Sequence, residues 1–242
     1  VYLISGPMRE QMIYEKSGGD FDYYRIEIPL TDEPFHYYFE VRSGKMHCFY
    51  NKLGVTKDLG DNMAFSVQPG FSTPQWAKGA VMYQIYTDRF CNGDPSNDVL
   101  DNEYIYIGEG VTQVKDWYQR PAAMDVREFY GGDLEGVRQK LDYLQELGVQ
   151  VLYFNPLFVS PSNHKYDIQD YDYIDPHLGK IVADQGEVLP HWGKDNMQAT
   201  RYISRVTKKE NLEAGNAFFA QLVEEIHSRG MKVILDGVFN HC

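Results

Sequence analysis

The stretch LEGVRQKLDYLQELGVQVLYFNP, residues 134–156, decides the fold because it runs from a helix directly into a strand. Its apolar residues recur at helical spacing as far as Gly148, and a glycine at that point is typical of a helix end. The continuous apolar run VQVLYFNP (149–156) predicts a buried strand, as does AVMYQIY (80–86) upstream. Together the three segments predict a strand, a helix and a second, parallel strand.

A second helix and a third strand follow downstream. The segment NAFFAQLVEEIHSRG (216–230) has helical spacing and a terminal glycine, and MKVILDG (231–237) predicts another strand. The resulting order of strand, helix, strand, helix and strand implies three parallel strands. Three such strands are only part of a complete sheet.

The first third of the chain has a different pattern. Residues 22–51 alternate aromatic or branched positions with polar ones at period two, broken by short turns, which is typical of an antiparallel β-sandwich. Prolines and glycines then interrupt any regular period near residues 69–79. We therefore predict a multidomain β plus α/β protein, with a sandwich at 1–70, a linker at 71–79 and a βα domain at 80–242.

Composition narrows the class of protein. With 23 basic and 35 acidic residues the formal net charge is −12, which argues against a nucleic-acid partner. No apolar run approaches the roughly 20 residues that span a bilayer. The first residues lack the basic, apolar and small-residue segments of a signal peptide. Because the sequence begins with Val1 and not with Met, a leader before Val1 stays open. Cys48, Cys91 and Cys242 are odd in number and far apart, which favours reduced thiols and a cytoplasmic location.

A cluster of oxygen-bearing side chains follows the first strand. Four such residues lie within seven positions, and a GGD segment stands downstream, before the first helix. Carboxylate, amide and carbonyl oxygens are the ligands that calcium prefers, in shells of roughly 6 to 8, whereas zinc prefers imidazole and thiolate. The alternative is a solvated turn with local Asx hydrogen bonds. The candidate calcium ligands are Asn92, Asp94, Asn97, Asp98, Gly131 and Asp133.

Two further polar clusters follow the second and third strands. In residues 160–176, Tyr166 offers a flat face of the kind that stacks on a sugar ring, with His164 beside it. The alternative is structural. The tyrosines would then cover the rim of a barrel and the aspartates would cap turns, namely Tyr166, Tyr171 and Tyr173, and Asp167, Asp170 and Asp175. After the third strand stand Asp236, Asn240 and His241, where a strand-end aspartate can equally anchor a loop.

Two other segments are informative in a more limited way. Asp88 and Arg89, at the end of the first strand, predict a structural ion pair or a turn cap. Residues 177–211 form an excursion that is too long for an ordinary connection of roughly 2 to 6 residues, and no motif in it indicates a role.

These motifs, in this order, resemble the α-amylase superfamily of retaining glycoside hydrolases. AVMYQIYTDRFCNGDPSND is similar to its first barrel strand and calcium loop, YGGDLEGVRQKLDYLQELGV to its first helix, LYFNPLFVSPSNHKYDIQDY to its second strand and loop, and DGVFNH to its first signature region. The NGDPSND and SPSNHKYD spellings after a β-sandwich are most similar to neopullulanases, cyclomaltodextrinases and maltogenic amylases. For that subgroup the resemblance implies an immunoglobulin-like, starch-binding-type sandwich, the first three units of a (β/α)8 barrel, and a homodimer.

The resemblance also implies roles for individual residues. The six oxygen-bearing residues would bind structural calcium, and Tyr166 would stack on the sugar at the cleavage subsite. His164 and His241 would hydrogen-bond the sugar hydroxyls, while Asp236 and Asn240 brace this face. The nucleophilic aspartate, the acid/base glutamate and a stabilising aspartate would follow Cys242. This chain would therefore hold no catalytic residue, and by itself we expect it to be inactive.

The expected function is hydrolysis of α-1,4-glucosidic bonds in starch-derived α-glucans, such as maltodextrin, cyclodextrin and pullulan, by a retaining double displacement. Two alternatives stay open. The first is a non-catalytic glucan-binding or scaffold protein with the same barrel, and the second is an α-glucan transglycosylase. In each case the partner is an α-glucan, with neither nucleic acid nor membrane.

Overall fold

The computed structural model describes residues 1–60 and 62–241. The chain divides into two compact units, Val1–Lys78 and the part that begins at Gly79, so residues 71–78 of the predicted linker group with the first unit. Within the described residues, no helix combines the length and the apolar character needed to cross a bilayer.

The first unit is built from antiparallel strands. Its main sheet has the order β2-β1-β5-β6-β7, with β8 paired to another part of β5, while β3 and β4 form a separate hairpin. The period-two pattern therefore predicted strands correctly in this region. The strands are β1 (Tyr2–Ser5), β2 (Met8–Gln11), β3 (Ile13–Gly18), β4 (Phe21–Arg25), β5 (Phe35–Ser43), β6 (Met46–Asn51), β7 (Gly54–Thr56) and β8 (Phe65–Val67).

The two faces of the main sheet differ in chemistry. Tyr37 and Phe39 on β5 share one face because alternate residues of a strand point the same way, and their rings lie 5.4 and 6.1 Å from that of Phe65. On the opposite face Glu40 is buried and accepts hydrogen bonds from Arg9 at 2.7 Å and from Arg42. One face thus carries an aromatic cluster, and the other carries an ion cluster around Glu40 beside the aromatic pair Tyr38 and Phe49.

The second unit contains the predicted parallel sheet. Its strands β9 (Met82–Ile85), β14 (Val151–Phe154) and β17 (Lys232–Leu235) have the order β17-β14-β9, and both neighbours pair with β14 in parallel register. The smaller strands are β10 (Ile105–Tyr106), β11 (Glu109–Gly110), β12 (Thr112–Gln113), β13 (Glu128–Phe129), β15 (Phe158–Val159) and β16 (Asp170–Ile174).

The helices follow the prediction with two differences. The predicted helix 134–148 is two helices, α1 (Leu134–Gln139) and α2 (Leu141–Glu146), because Lys140 leaves helical geometry and its N–H bonds the carbonyl of Val137 three residues back. The second predicted helix, 216–230, is α4 (Lys209–Ser228) and starts earlier than expected. A further helix, α3 (Thr200–Thr207), lies within the 177–211 excursion.

One core joins the helices to the parallel sheet. Leu134, Val137, Leu141 and Leu144 are fully buried, and their spacing places them on a single helical stripe. Gly136 allows α1 to approach the loop that follows β9, since a Cβ there would lie 1.9 Å from the Cys91 carbonyl oxygen. The remaining buried members of this core are Ile85, Val149, Leu152, Phe154, Leu157, Ile174, Leu178, Phe218, Leu222, Ile226 and Met231.

The excursion is ordered and has a core of its own. Leu189 and Ala199 are buried against residues that follow β9, among them Val99, Tyr104 and Phe129. Asn196 reinforces this contact because its side chain bonds both the N–H and the C=O of the Ile105 backbone, at 2.7 and 2.9 Å. Residues 99–129 and 189–202 therefore share one hydrophobic core.

Candidate functional site

The three parallel strands end at the same edge of the sheet. Phe154 pairs with Ile85 on one side and with Leu235 on the other, so the segments that follow all three strands begin side by side. Asp236 continues the ladder through its N–H, which bonds the Phe154 carbonyl at 3.0 Å. In parallel βα folds this edge carries the functional side chains.

Three predicted sugar-facing residues meet at this edge. The hydroxyl of Tyr166 donates to Asp236 Oδ2 at 2.7 Å, and the ring of His164 lies 5.9 Å from the ring of Tyr166. Burial, together with the Asp236 carboxylate, raises the pKa of Tyr166 to about 12, so the phenol keeps its proton. Asp236 thereby fixes the position of an aromatic face.

His164 is held as a neutral donor. Its Nδ1 accepts the backbone N–H of Tyr166 at 3.1 Å, which leaves the proton on Nε2. Burial lowers the pKa of His164, so the ring is uncharged at neutral pH. A neutral Nε2–H beside an aromatic ring suits a hydroxyl oxygen as its acceptor.

Lys165, between these two residues, turns inward. It has a φ of +61°, a conformation that residues other than glycine seldom adopt, and its side chain is buried. Its ammonium donates to the Ser160 carbonyl at 2.7 Å and to Asp175 Oδ2 at 2.6 Å. The left-handed residue thus sends its own side chain into the protein and its two neighbours outward.

Asp175 continues into a chain of buried charges. His177 bonds Asp175 Oδ1 through Nδ1 at 2.9 Å and Glu103 Oε1 through Nε2 at 2.8 Å, and Glu103 Oε2 accepts from Arg205 at 2.9 Å. Burial opposes a charge on His177, but the two carboxylates raise its pKa. Since an ionised carboxylate can only accept, both ring nitrogens carry protons and the ring is an imidazolium.

The other two predicted sugar-facing residues are placed differently. Asn240 and His241 lie on the exposed segment after β17, and among the hydrogen bonds of the described residues none involves either side chain. Tyr171 supports this segment by donating to the Val238 carbonyl. The structure therefore brings His164, Tyr166 and Asp236 together, whereas Asn240 and His241 are exposed and make no side-chain hydrogen bond to them among the described residues.

The predicted metal loop is organised around Asp133. Its Oδ1 accepts the N–H groups of Gly93 and Gly136, and its Oδ2 accepts the Asp94 N–H and the Asn97 amide, at distances between 2.6 and 3.2 Å. The Gly136 contact is also the N-cap of α1. Asp133 thus joins the loop to the helix.

Two other side-chain oxygens of this loop accept no hydrogen bond within the described part of the chain. Asn92 Oδ1 and Asn97 Oδ1 are buried, and neither has a hydrogen-bond partner among the described residues. Burial, helped by the charge of Asp133, raises the pKa of Asp98 to about 6. Gly131 adjoins them, since a Cβ there would lie 2.5 Å from Asp98 Oδ1. A surplus of hard oxygen acceptors fits a calcium ion.

Other acids of the loop are already neutralised by protein groups. Asp94 pairs with Lys180 at 2.8 Å, and Asp88 forms the predicted ion pair with Arg89 at 2.9 Å. In the part of the chain that the structure describes, no three His, Cys, Asp or Glu side chains gather as a metal cluster. The fit to a cation therefore depends on amide and carbonyl oxygens with Asp98.

Comparison with known proteins gives the same assignment as the motifs. Residues 84–197 match the family model of the alpha amylase catalytic domain. Neopullulanase 2 of Thermoactinomyces vulgaris is 35% identical in an alignment of 234 positions that covers 93% of this chain and 32% of that protein. The chain belongs to the α-amylase family. The resemblance inferred from the four motifs is thereby confirmed.

Two further α-amylase-family relatives cover almost the whole chain. An amylopullulanase of Thermoanaerobacter thermohydrosulfuricus is 34% identical in an alignment of 253 positions that covers 95% of this chain and 15% of that protein. The solved type III pullulan hydrolase from Thermococcus kodakarensis has 26% identity and a TM-score of 0.53, with 100% of this chain and 36% of that chain covered. The chain thus spans a third or less of the curated relatives described here.

Within this α-amylase-family chain, sequence reasoning did not find the buried charge chain. The alternative that Asp175 caps a turn is borne out, because its Oδ1 accepts the His177 N–H at 2.9 Å, but Asp175 also pairs with Lys165 and with the His177 ring. Glu103 and Arg205 carried no motif and lie 102 positions apart. The only hint in the sequence was Lys165, which stands between His164 and Tyr166. Its burial could not be predicted, because it depends on the positive φ of its backbone.

Proposed function

We propose that the protein carrying this chain hydrolyses α-1,4-glucosidic bonds in maltodextrin, cyclodextrin or pullulan, with retention at the anomeric carbon. The supporting observation is the joint placement of His164, Tyr166 and Asp236 at the strand ends. The Tyr166 ring offers an apolar face to a glucose ring, and its bond to Asp236 restricts rotation. His164 Nε2–H donates to a sugar hydroxyl without bringing a charge.

Retention requires two carboxyl groups roughly 5 to 5.5 Å apart, one as the nucleophile and one as the acid and base. Asp236 is not assigned either role, because the family resemblance places both carboxyl groups on later strands. We assign the nucleophilic aspartate, the acid/base glutamate and the third aspartate to sequence beyond Cys242. The residues of this chain bind and orient the sugar, with Asn240 and His241 joining the site once a glucan is bound.

A structural calcium ion is part of the proposal. Asn92 and Asn97 would hold it through their side-chain oxygens, which are buried and have no partner among the described residues. Asp98, whose two oxygens accept from Asn92 at 2.8 Å and from Gln113 at 2.7 Å, and the Gly131 carbonyl would complete the set as further hard oxygen ligands. The family resemblance adds Asp94 and Asp133 to this set. The ion would supply positive charge that neutralises the buried oxygens of the loop.

Calcium binding can be measured without an activity assay. Removal with EGTA should lower the melting temperature and readdition should restore it, since a ligand at 100 times its Kd stabilises by about 2.7 kcal/mol. Asp98→Asn should weaken the calcium response, while Asp142→Asn, at an exposed ion pair with Arg229, should leave it intact. An unchanged melting temperature in EGTA would refute the calcium site.

The proposal also covers the architecture of both units. The three parallel strands are the first three units of a (β/α)8 barrel, and the first unit is a starch-binding-type sandwich that contributes to a homodimer. The aromatic face around Tyr37 and Phe39 is consistent with either role of this unit. The partner is an α-glucan and the expected location is the cytoplasm.

The alternatives make different predictions for one assay. With the full-length protein on starch, pullulan and cyclodextrin, a hydrolase produces new reducing ends. A glucan-binding protein binds the polymer without producing them, and a transglycosylase yields longer oligosaccharides at constant reducing ends. Failure to bind or cleave any of the three glucans would refute the proposal.

A further inference from the structure

The excursion at 177–211 contains the far end of the buried charge chain. Arg205, on α3, has a side chain that is 2% exposed, and its fork bonds both oxygens of Asp184 at 2.9 Å. Its NH1 also donates to Glu103 at 2.9 Å and to the Asp98 carbonyl at 2.8 Å. The Arg205 guanidinium thus connects the excursion to the segment that follows β9.

The near end of the chain is the loop that carries the sugar-facing residues. Lys165 anchors this loop through Asp175, and the adjoining turn is closed by bonds from Ser160 and Ser162 to Asp167. The loop therefore cannot rotate Tyr166 without moving the buried Lys165. Because Lys165 is left-handed, any loss of its anchor favours a return to an ordinary backbone conformation, which would reverse the direction of its neighbours.

The links between the two ends are continuous and buried. Each of Asp175, His177 and Glu103 has a side chain no more than 4% exposed and contacts the next at less than 3.0 Å. Three cations, Lys165, His177 and Arg205, alternate with the carboxylates of Asp175, Glu103 and Asp184, so the chain is neutral as a whole. Removal of one member leaves a buried charge unpaired, and the neighbouring segments must then rearrange.

We infer that Arg205 is a positioning residue for the sugar-binding pair His164 and Tyr166, acting through Glu103, His177, Asp175 and Lys165. This role rests on the proposed function and gives the excursion a purpose within it. Arg205 touches no substrate. It sets the geometry of the loop on which the sugar stacks, so its loss changes glucan affinity as well as stability.

The test compares Arg205→Met with Arg201→Met in the full-length protein. Arg201 lies one turn earlier on α3 and also approaches Asp184, at 3.5 Å, but its other bond goes to the Gly186 carbonyl and it does not reach Glu103. The probe is maltotetraose with sulfur in place of its glycosidic oxygens, and its Kd is measured by calorimetry. Arg205→Met should weaken binding by about 2- to 30-fold, and Arg201→Met by less than about 2-fold.

A double-mutant cycle separates positioning from general destabilisation. If Arg205 acts through Tyr166, then Arg205→Met should add little to the loss already caused by Tyr166→Ala, so the two effects should not be additive. Glu103→Gln, which keeps the side-chain shape, should give the same non-additivity and replaces Arg205→Met if that variant does not fold. Partial recovery with Arg205→Lys is expected because the charge is retained.

The outcomes are distinguishable. Additive effects of Arg205→Met and Tyr166→Ala, or a melting-temperature loss with an unchanged Kd, would overturn the role of Arg205 and leave the proposed function intact. Absence of glucan binding by the wild-type protein would refute the proposed function and this role together.

Discussion

At the residue scale, the hydroxyl and the ring of Tyr166 have separate tasks. Tyr166→Phe removes the bond to Asp236 but keeps the apolar face, so glucan affinity should fall by no more than about threefold. Tyr166→Ala removes the face itself and should weaken binding by about tenfold or more, or roughly 1.4 kcal/mol. Calorimetry with a non-hydrolysed maltooligosaccharide measures both. Equal losses for the two variants would mean that stacking contributes nothing.

His177 makes stability depend on pH at the alkaline side. Its folded pKa is raised by Glu103 and Asp175 against the effect of burial, so its contribution is complete below about pH 6.5, the unfolded pKa, and is lost as pH rises through the folded pKa. The ring of Tyr202, which stacks on the His177 ring at 6.2 Å, is uncharged. Arg205 bonds Glu103, so it does not replace the positive charge that His177 loses on deprotonation.

We therefore expect the melting temperature of the wild type to fall progressively above pH 6.5. His177→Gln should be less stable at pH 6 and should show a smaller decline between pH 6 and 9. Thermal melts across this range provide the measurement. A decline of the same size in the variant would show that another group is responsible.

The contrast between Tyr166 and Arg205 explains what the sequence could predict at this scale. Asp236 stands directly after β17, and His164 and Tyr166 lie in the polar segment that follows β14 and β15, so their place beyond the strands is visible in the pattern of apolar runs. Arg205 and Glu103 gain their meaning only from each other, and a separation of 102 positions leaves no local signal. Lys165 lies in the correct motif, but its inward direction depends on a backbone angle.

At the scale of elements, Asp133 links the metal loop to α1. Asp133→Asn keeps the shape but weakens the bonds to the N–H groups of Gly93, Asp94 and Gly136, including the helix N-cap. The expected loss in free energy of unfolding is about 1 to 3 kcal/mol. Denaturant unfolding in EGTA isolates this loss from any effect of calcium.

Asp142→Asn is the matched control for this measurement. Asp142 has a side chain that is 82% exposed and pairs with Arg229 at the surface, so its substitution should change stability by less than about 1 kcal/mol. A loss for Asp133→Asn that is no larger than the loss for Asp142→Asn would contradict the capping role.

Among the elements, regular apolar periods were the reliable signal. The three parallel strands and α4 follow their apolar residues, and the glycines at 148 and 230 adopt positive φ at the helix ends, as expected. The break at Lys140 has no such signal because the buried stripe of Leu134, Val137, Leu141 and Leu144 continues through it. The excursion could not be predicted because its core forms with residues 99–129.

At the scale of the whole molecule, family membership and the site geometry lead to one expectation for the chemistry. A retaining glycosidase attacks the anomeric carbon twice, so the product first carries the configuration of the substrate bond. We propose that His164, Tyr166 and Asp236 orient that bond for carboxylates that we assign to sequence beyond Cys242.

The most direct measurement is proton NMR of the full-length protein acting on maltoheptaose, followed from the first minutes. We expect the anomeric signal of the α-product to appear first and then to equilibrate with the β-anomer. The β-anomer appearing first would contradict retention, and the absence of any new reducing end would contradict hydrolysis itself.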